Sequence, residues 1–506
     1  MHPLSPSTGR SPINHMRACR CALVLLLWSS FALAQLPDDA YVVTAMRDWK
    51  VPGLAIAVVK HDRLVAARGY GIREEGKPGA VDENTIFAIG SNTKAFTSAA
   101  LAILADVKKL QWDDPVIRHL PSFQLYDPWI TRELTIRDML SHRSGFTSFQ
   151  GDLLWDGSAY KRDEVVRRMR LIKPNGSFRS TYGYSNIMYI AAGELLAAAS
   201  GTSWDTFIRE HLFGPLGMTR SSTSISALKD ASNVASPHDE LAGKIHPVPY
   251  RLVDNGGPAA SINSTAKDMA EWIRLQLAEG AYGEKRIISA ASLRQTQTPQ
   301  TIIPGVGPAK LFPSSHFRAY GFGWVLQDYR GKKIVWHGGG IGGMKTMLLM
   351  VPEEHFGIVV LANRADTNLP EALAWRSVEV MLGLPARDWS KDWLELTTAD
   401  EAAAAASAKR TDSQRLTSTK PTLPIERYVG LYSSEVYGDA TVVLDNGHLR
   451  IESSLDLNGT LDHWQNDTFR YKYDDGYGNI VQFFLDSPDS VSEMRINRAN
   501  SFKRVH

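Results

Sequence analysis

The stretch FAIGSNTKAFTSAALAIL, residues 87–104, decides how this sequence folds. From Ala95 to Leu104 it is apolar nearly all round, which predicts a helix buried inside the protein. Ser91 opens this helix, and a spacing of three residues places Lys94 on the same face, one turn further along. A serine hydroxyl is a weak nucleophile until a nearby base takes its proton, and a lysine kept neutral by burial can help to do this. The pair therefore predicts a nucleophile and its base.

The Ser-x-x-Lys spacing also occurs at three other places, so the spacing alone means little: Ser158–Lys161, Ser226–Lys229 and Ser264–Lys267. Context favours Ser91, because its helix N-terminus directs free N–H groups and a positive dipole end at developing negative charge. A capping serine with a surface lysine is the structural alternative. Against it, Lys94 lies in an otherwise apolar helix start, where burying a lysine for packing alone is costly.

Two further motifs follow in chain order. Tyr184-Ser-Asn186 leads into a helix predicted over residues 187–199, so both polar side chains can project from a helix entrance into a cleft. His337-Gly-Gly339 is expected at the end of a strand, where its glycines let a ligand lie against backbone. Taken singly, each has an ordinary alternative, a turn tyrosine or a bulge glycine. The ordered set carries the information.

The pattern along the chain predicts an α/β domain over residues 35–398. A β-hairpin is expected at 54–69, helical periodicity dominates 135–216, and strands return over 321–362. Strands at both ends with helices between them predict a sheet with an inserted helical region. Two long loops interrupt that region, and we expect them to form the rim of a substrate cleft: residues 143–158 and 174–185.

The C-terminal part of the chain changes character. Residues 399–422 have no apolar period and predict a linker or a solvated helix. Over residues 423–506, short β runs alternate with Asp, Asn and Gly turns, which predicts a separate antiparallel β domain, a barrel. Such a domain can cover one side of the cleft and restrict substrate length. Several of its aromatic residues favour a packed core, with a ligand cavity as the alternative: Phe469, Tyr471, Tyr473, Tyr477, Phe483 and Phe484.

Composition and missing motifs exclude several classes of protein. The 506 residues hold 56 Lys plus Arg against 54 Asp plus Glu, so no field exists to attract nucleic acid. No His-Glu-x-x-His occurs, and His238 and His246 lack further ligand spacing, so we expect no metal. The glycines of 338–343 match a dinucleotide fingerprint, but no helical face follows them, so no cofactor is expected. No Gly-x-Ser-x-Gly is present, which disfavours an α/β-hydrolase.

Residues 1–34 predict a secretory signal peptide, with arginines, an apolar stretch and a small-x-small cleavage site at Ala34. A membrane anchor is the alternative, but the uncharged stretch after Arg20 is short for a span. We therefore expect a periplasmic or secreted protein without a stable membrane span. Both cysteines, Cys19 and Cys21, lie in this segment, so the mature chain has no thiol for disulfides, catalysis or metal binding.

The ordered motifs resemble those of serine β-lactamase-related hydrolases: Ser91-Asn-Thr-Lys94, Tyr184-Ser-Asn186 and His337-Gly-Gly339. They look most like the class C β-lactamase-like proteins, a group similar to penicillin-binding proteins that includes esterases, D-aminopeptidases and other peptidases and amidases. The resemblance covers residues 40 to 385. It implies a β-lactamase/transpeptidase-like fold, an antiparallel sheet flanked by helices plus a helical region. The tail from Leu423 resembles the lipocalin-like domain often appended to such proteins.

The resemblance also implies a role for each motif residue. Ser91 would be the acylated nucleophile, while Lys94 and Tyr184 share its proton and return it to the leaving group. Asn186 would hydrogen-bond a substrate amide. These roles describe acyl transfer through a covalent intermediate.

The same resemblance places the substrate-binding strand at His337, Gly339 and Gly340. The backbone N–H groups of Ser91 and Gly340 would form the oxyanion hole. His337 stands where many relatives carry lysine, and neutral imidazole offers no fixed positive charge to a substrate carboxylate. We therefore expect an exported serine hydrolase that cleaves a peptide, amide or ester bond in a peptide or small molecule. The alternatives are a β-lactamase or D-Ala carboxypeptidase, and a receptor acylated without turnover.

Overall fold

The computed structural model of the protein describes residues 38–505, apart from positions 242, 306, 309, 386, 454, 456, 474–477 and 498–499. The predicted signal peptide, both cysteines and Tyr477 lie outside the described residues. The described chain forms a domain of sheet and helices followed by a barrel. None of its helices in this described part is long and apolar enough to cross a membrane.

The central sheet has eight strands, and each neighbouring pair is antiparallel. The predicted hairpin is confirmed: His61 and Asp62 form its turn, both with positive φ. The strands lie across the sheet in this order: Arg63–Gly71, Gly53–Lys60, Phe356–Ala362, Met344–Val351, Lys332–Ile341, Val325–Tyr329, Arg318–Tyr320 and Thr301–Ile302.

The middle of the sheet is buried on both faces. In the strand Phe356–Ala362, Val359 and Leu361 pack into the core on the side of the helical region. Ile358 and Val360 pack into a second core on the opposite face. Because both faces are covered, the central strands read as continuous apolar runs rather than as an alternating pattern.

The buried helix predicted after Ser91 runs over Thr93–Asp106, with eleven of its fourteen residues buried, so it occupies the centre of the domain. The other α-helices among the described residues are Asp39–Asp48, Val116–His119, Pro128–Glu133, Ile136–Leu140, Arg162–Arg168, Asn186–Ser200, Trp204–Ile208, Gly214–Leu216, Gly257–Ala260, Ala266–Leu277, Ala290–Thr296, Leu369–Met381 and Trp389–Ser413.

Two predicted strand boundaries were wrong. The strand that carries His337 does not end at Gly339 but continues to Ile341, because Gly340 still pairs with Lys345 of the next strand. The predicted strand start at residue 321 is instead a turn in which the Gly321 N–H donates to the Trp324 carbonyl. Gly323 in this turn has a φ of +77°, which a regular strand does not accommodate.

Residues 399–413 belong to the long helix Trp389–Ser413, and their side chains are exposed. The solvated helix was one of the two expectations for this segment. The predicted barrel is present and closed, with eight strands: Gly430–Ser434, Gly438–Asp445, His448–Ser453, Gly459–Gln465, Thr468–Tyr473, Gly478–Ser487, Ser490–Ile496 and Asn500–Arg504. Its interior is a packed core, as predicted for Phe469, Tyr471 and Phe483, which are buried.

The barrel packs against the sheet-and-helix domain beside one of the predicted rim loops. Ser158 forms a β-bridge with Leu455 of the barrel. The Tyr160 hydroxyl donates to the Tyr437 carbonyl at 3.0 Å. This contact places the barrel next to the site built around Ser91.

Candidate active site

Ser91 lies in a single 3-10 turn, Gly90–Asn92, directly before the central helix. It therefore precedes the helix that it was expected to open. Gly90 has a φ of +52°, a conformation that residues with a Cβ rarely adopt. The turn points the Ser91 side chain along the first turn of the helix, where Lys94 follows.

The Ser91 turn is attached to the sheet through Thr346. Thr346 Oγ1 accepts a hydrogen bond from Asn92 Nδ2 at 2.9 Å and donates one to the Ile89 carbonyl at 3.0 Å. Gly339 permits this approach, since a Cβ there would come within 2.0 Å of the Ile89 carbonyl oxygen. Gly339 thus allows the strand and the turn to lie in direct contact.

Lys94 is fully buried within reach of Ser91. Its Nζ lies 3.1 Å from Ser91 Oγ, 2.7 Å from Asn186 Oδ1 and 3.0 Å from the Ala259 carbonyl oxygen. Burial disfavours the ammonium form and lowers the pKa of Lys94 to about 7, although the carboxylate of Asp152 opposes this fall. Near neutral pH, Lys94 can therefore exist as a free amine that accepts a proton.

The three other Ser-x-x-Lys motifs lack a comparable lysine. Their serines are followed three residues later by lysines whose side chains are exposed: Lys161, Lys229 and Lys267. These three side chains lack the burial that lowers the pKa of Lys94. Burial thus distinguishes the pair that the helix pattern favoured.

Tyr184 lies just before the helix Asn186–Ser200, at the predicted helix entrance. Its ring centre lies 4.7 Å from Lys94 Nζ, and its phenol is close enough to the Ser91 hydroxyl to affect its own pKa. Burial raises the pKa of Tyr184 well above its ordinary value. The phenol is therefore protonated at neutral pH, where it can relay a proton while Lys94 serves as the base.

His337 lies behind Tyr184 and is 4% exposed. Its Nδ1 lies 2.6 Å from the Gly338 carbonyl, which can only accept, so Nδ1 carries the proton. The Tyr320 hydroxyl then donates to Nε2 at 3.0 Å. Burial, together with the charge of Lys94, lowers the pKa of His337 to about 3. The imidazole is therefore neutral, and both of its nitrogens are engaged within the protein.

Gly340 borders the cleft beside the Ser91 turn. A Cβ on Gly90 would lie 2.8 Å from the Gly340 backbone nitrogen. The strand Val325–Tyr329 pairs with the Gly340 strand only as far as Trp336, which leaves the edge at Gly340 to the Ser91 turn. The backbones of Ser91 and Gly340 are thus brought together, as an oxyanion hole needs.

A cleft of about 1530 Å³ opens at Ser91. Asn186 lines it, together with Phe149 and Asp152 from the loop 143–158, so the prediction that this loop forms a rim is confirmed. The second loop carries Tyr184 to Ser91. The barrel contributes part of the wall through Ser453, Leu455 and Asn458. Within the described residues, no group of three or more His, Cys, Asp or Glu side chains could hold a metal ion.

Two residues of the site were missed by sequence reasoning. Asp152 Oδ2 accepts a hydrogen bond from Asn186 Nδ2 at 2.7 Å. His142 is fully buried, and its Nδ1 accepts from the Ser185 N–H at 3.0 Å, next to Tyr184. The one sequence feature that could have indicated these two residues is their position in, or just before, the long loop 143–158. Their partners are far away in sequence, so no local spacing identifies them.

The fold and the site together define a protein of the β-lactamase/transpeptidase class. The comparison with family models agrees: the Beta-lactamase model matches residues 39–380, and the chain belongs to this family of hydrolases. A second model, a domain of unknown function (DUF3471), matches residues 414–504, the barrel and the segment before it.

Relatives and solved structures extend the comparison. The chain is 31% identical to the unguisins hydrolase of Aspergillus violaceofuscus over 436 residues, covering 80% of this chain and 76% of that protein. It is 25% identical to protein flp of Staphylococcus aureus over 354 residues, covering 68% and 66%. The octameric penicillin-binding protein homologue from Pyrococcus abyssi has the same fold, with a TM-score of 0.59 at 21% identity, covering 92% of this chain and 99% of that one.

Proposed function

We propose that the protein is an exported serine hydrolase that cleaves a peptide, amide or ester bond through an acyl-Ser91 intermediate. The observation that carries this proposal is the buried Lys94, whose Nζ lies 3.1 Å from Ser91 Oγ. Its pKa of about 7 makes the free amine available at neutral pH. A buried lysine without a fixed carboxylate contact is costly to stability, which is expected where it serves chemistry.

Acylation begins when Ser91 Oγ attacks the substrate carbonyl carbon. The hydroxyl proton passes to Lys94 Nζ, with Tyr184 as a relay, while the oxyanion is held by the N–H groups of Ser91 and Gly340. When the intermediate collapses, the bond to the leaving group breaks, and the proton from Lys94 goes to the departing nitrogen or oxygen. Water then attacks the acyl-serine with the same base, releasing the acid and restoring Ser91.

The neutral His337 supports a peptide, amide or ester substrate over a β-lactam or a D-Ala terminus. Both of those substrates carry a carboxylate near the scissile bond, which favours a fixed positive charge opposite it. Here the imidazole is neutral and already bonded to Tyr320 and the Gly338 carbonyl. The name of the Aspergillus violaceofuscus relative, an unguisins hydrolase, also supports a hydrolytic role.

A β-lactamase or D-Ala carboxypeptidase is the second candidate, supported by the match to the Beta-lactamase model. The two candidates are separated by offering the protein a panel of β-lactams alongside peptides and esters. We expect turnover of peptides or esters and slow or no β-lactam hydrolysis. Efficient β-lactam turnover would reverse this order, and acylation by β-lactams without release would support a receptor.

Export is the part of the proposal that depends on residues 1–34. Their arginines, apolar stretch and small-x-small site motivate it. Expression of the full chain in a bacterial host, followed by N-terminal sequencing, tests it. We expect a mature N-terminus at Gln35 in the periplasm or the medium. A chain that keeps residues 1–34 in the cytoplasm would contradict export without touching the proposed chemistry.

The nucleophile is tested by intact-mass spectrometry after incubation with a fluorophosphonate. We expect a single adduct on the wild type and none on Ser91→Ala. Ser226→Ala, in an exposed Ser-x-x-Lys motif, is the matched control and should label like the wild type. No adduct on folded wild type, or an adduct on Ser91→Ala, would overturn the assignment of Ser91.

A further inference from the structure

Asp152 lies at the end of a chain of side chains that starts at Ser91. Lys94 Nζ is 3.1 Å from Ser91 Oγ and 2.7 Å from Asn186 Oδ1. Asn186 Nδ2 in turn donates to Asp152 Oδ2 at 2.7 Å. Three segments far apart in sequence are thus linked: the central helix, the helix Asn186–Ser200 and the 3-10 turn that Asp152 begins.

The Asp152 carboxylate fixes the orientation of the Asn186 side-chain amide. A carboxylate oxygen only accepts hydrogen bonds, so Asn186 must turn its NH₂ group toward Asp152. Its Oδ1 then faces Lys94, where it accepts from Nζ. With the amide reversed, an N–H group would face the lysine and displace it. Asp152 therefore fixes the orientation of Asn186, and Asn186 fixes the position of the Lys94 amine.

Asp152 also places a negative charge near Lys94. Burial raises the pKa of Asp152 to about 7, and the charge of Lys94 opposes this rise. Conversely, the charge of Asp152 opposes the fall in the pKa of Lys94 that burial causes. The ammonium that forms when Ser91 loses its proton is therefore stabilised by a carboxylate one amide away.

Other titratable groups surround these two. His142 and His337 face Lys94, but burial lowers the pKa of each, so neither carries a charge at neutral pH. The tyrosines near them are protonated at neutral pH, since burial raises their pKa values: Tyr184, Tyr189 and Tyr437. Asp156 lies near Asp152, but its Oδ1 accepts from Arg251 Nε at 2.5 Å. Asp152, in its carboxylate form, is thus the group within the described site that places a negative charge near Lys94.

We propose that Asp152 is a positioning residue for acyl transfer: through Asn186 it aims Lys94 at Ser91, and it stabilises the Lys94 ammonium. This inference rests on the proposed acyl-Ser91 chemistry. The Ser91 O–H bond breaks as the bond from Oγ to the acyl carbon forms, and the proton moves to Lys94 Nζ. The proton from Ser91 goes to Lys94 and not to Asp152, whose carboxylate form is the one that stabilises the ammonium.

The test is the pH dependence of Ser91 labelling by the fluorophosphonate, followed by intact mass. In the wild type, we expect the rate constant to rise with pH through a midpoint near the pKa of Lys94. Asp152→Asn removes the charge that holds this pKa up, so the midpoint should fall by about one pH unit. Asp152→Glu, which keeps a carboxylate, should return the midpoint toward the wild-type value.

Asp156→Asn is the matched control. It also replaces a carboxylate by an amide, four residues further along the chain, but the Asp156 carboxylate is bonded to Arg251. It should leave the midpoint unchanged. An unshifted midpoint in Asp152→Asn, or an equal shift in Asp156→Asn, would overturn the role of Asp152. If Asp152→Asn does not fold, Asp152→Ser is measured in its place. Absence of labelling in the wild type would instead overturn the proposed function, so the two failures are distinguishable.

Discussion

Buried aromatic rings pack together beside Ser91 and also inside the barrel, and the two clusters differ in what they enclose. In the barrel, the rings of Tyr428, Phe469 and Phe483 pack edge to face with centres 5.1 to 5.6 Å apart. Beside Ser91, the rings enclose Lys94: Tyr184, Tyr189, Tyr320, His142 and His337. Both clusters are water-excluding cores. The difference is the enclosed amine, because burial that stabilises a ring destabilises a charge and thereby changes its protonation.

The largest effect is expected when the Lys94 amine is removed from the ring cluster beside Ser91. Lys94→Met replaces the buried amine by an apolar side chain of similar length. We expect the rate of Ser91 labelling to fall about 10²–10⁴-fold, the usual contribution of a positioned base. The change in thermal stability should be small, because removing a costly buried amine is offset by the two acceptors, Asn186 Oδ1 and the Ala259 carbonyl, that lose their donor. Labelling at the wild-type rate would show that Lys94 is not the base.

Truncating a ring in the barrel should lower stability and leave Ser91 labelling unchanged. Phe469→Ala leaves a cavity in a closed core and should lower the free energy of unfolding of the barrel by about 3–5 kcal/mol. Ser91 labelling below the unfolding temperature should be unchanged, because the catalytic contacts lie in the other domain. Denaturant unfolding and labelling on one sample test both points. A labelling defect in folded protein would mean that the barrel core supports the site.

Lowering the pH should reduce the rate of Ser91 labelling without unfolding the barrel. Below the Lys94 pKa of about 7 the amine becomes an ammonium, and the labelling rate should fall about tenfold per pH unit. Circular dichroism recorded over the same pH range should show no unfolding. A rate independent of pH between mildly acidic and mildly basic conditions would contradict a base with this pKa.

Shortening the chain tests what the barrel adds to the cleft. A chain ending near residue 420 lacks the wall formed by Ser453, Leu455 and Asn458. We expect it to accept longer peptides severalfold better than the full chain while retaining fluorophosphonate labelling. A library of peptides differing only in length provides the measurement. Unchanged length preference in a folded, truncated protein would reject a role of the barrel in selecting substrates.

The smallest effect is expected from the hydrogen bond behind the site. Tyr320→Phe removes the donor to His337 Nε2 but keeps the ring, leaving a buried acceptor without a partner. The cost in stability should be about 1–3 kcal/mol. Because His337 stays neutral, labelling should change less than for Lys94→Met. A loss of labelling as large as that of Lys94→Met would give Tyr320 a direct part in the chemistry.

Sequence reasoning predicted what depends on local spacing. Ser91 and Lys94 are three residues apart, in a 3-10 turn and the first turn of the helix that follows it, and the short β runs with turns after Leu423 predicted the barrel. It missed Asp152 and His142, because their partners, Asn186 and Ser185, lie more than thirty residues away.

The errors in the strands have a similar cause. The strand through His337 was expected to end at its glycines, which are poor strand formers. It continues because Gly340 and Ile341 pair with Lys345 and Met344 across the sheet. Pairing between the strands outweighs the low strand preference of glycine. The residues around His337 do not by themselves identify the strand with which they pair.

The central claim is that substrate turnover passes through an acyl group on Ser91. Rapid quenching of the protein during hydrolysis of a chromogenic ester, followed by intact-mass spectrometry and peptide mapping, tests it most directly. We predict an adduct of the acyl mass on the peptide that contains Ser91, decaying at the rate of steady turnover. Turnover without any such adduct, or turnover retained in Ser91→Ala, would contradict the account.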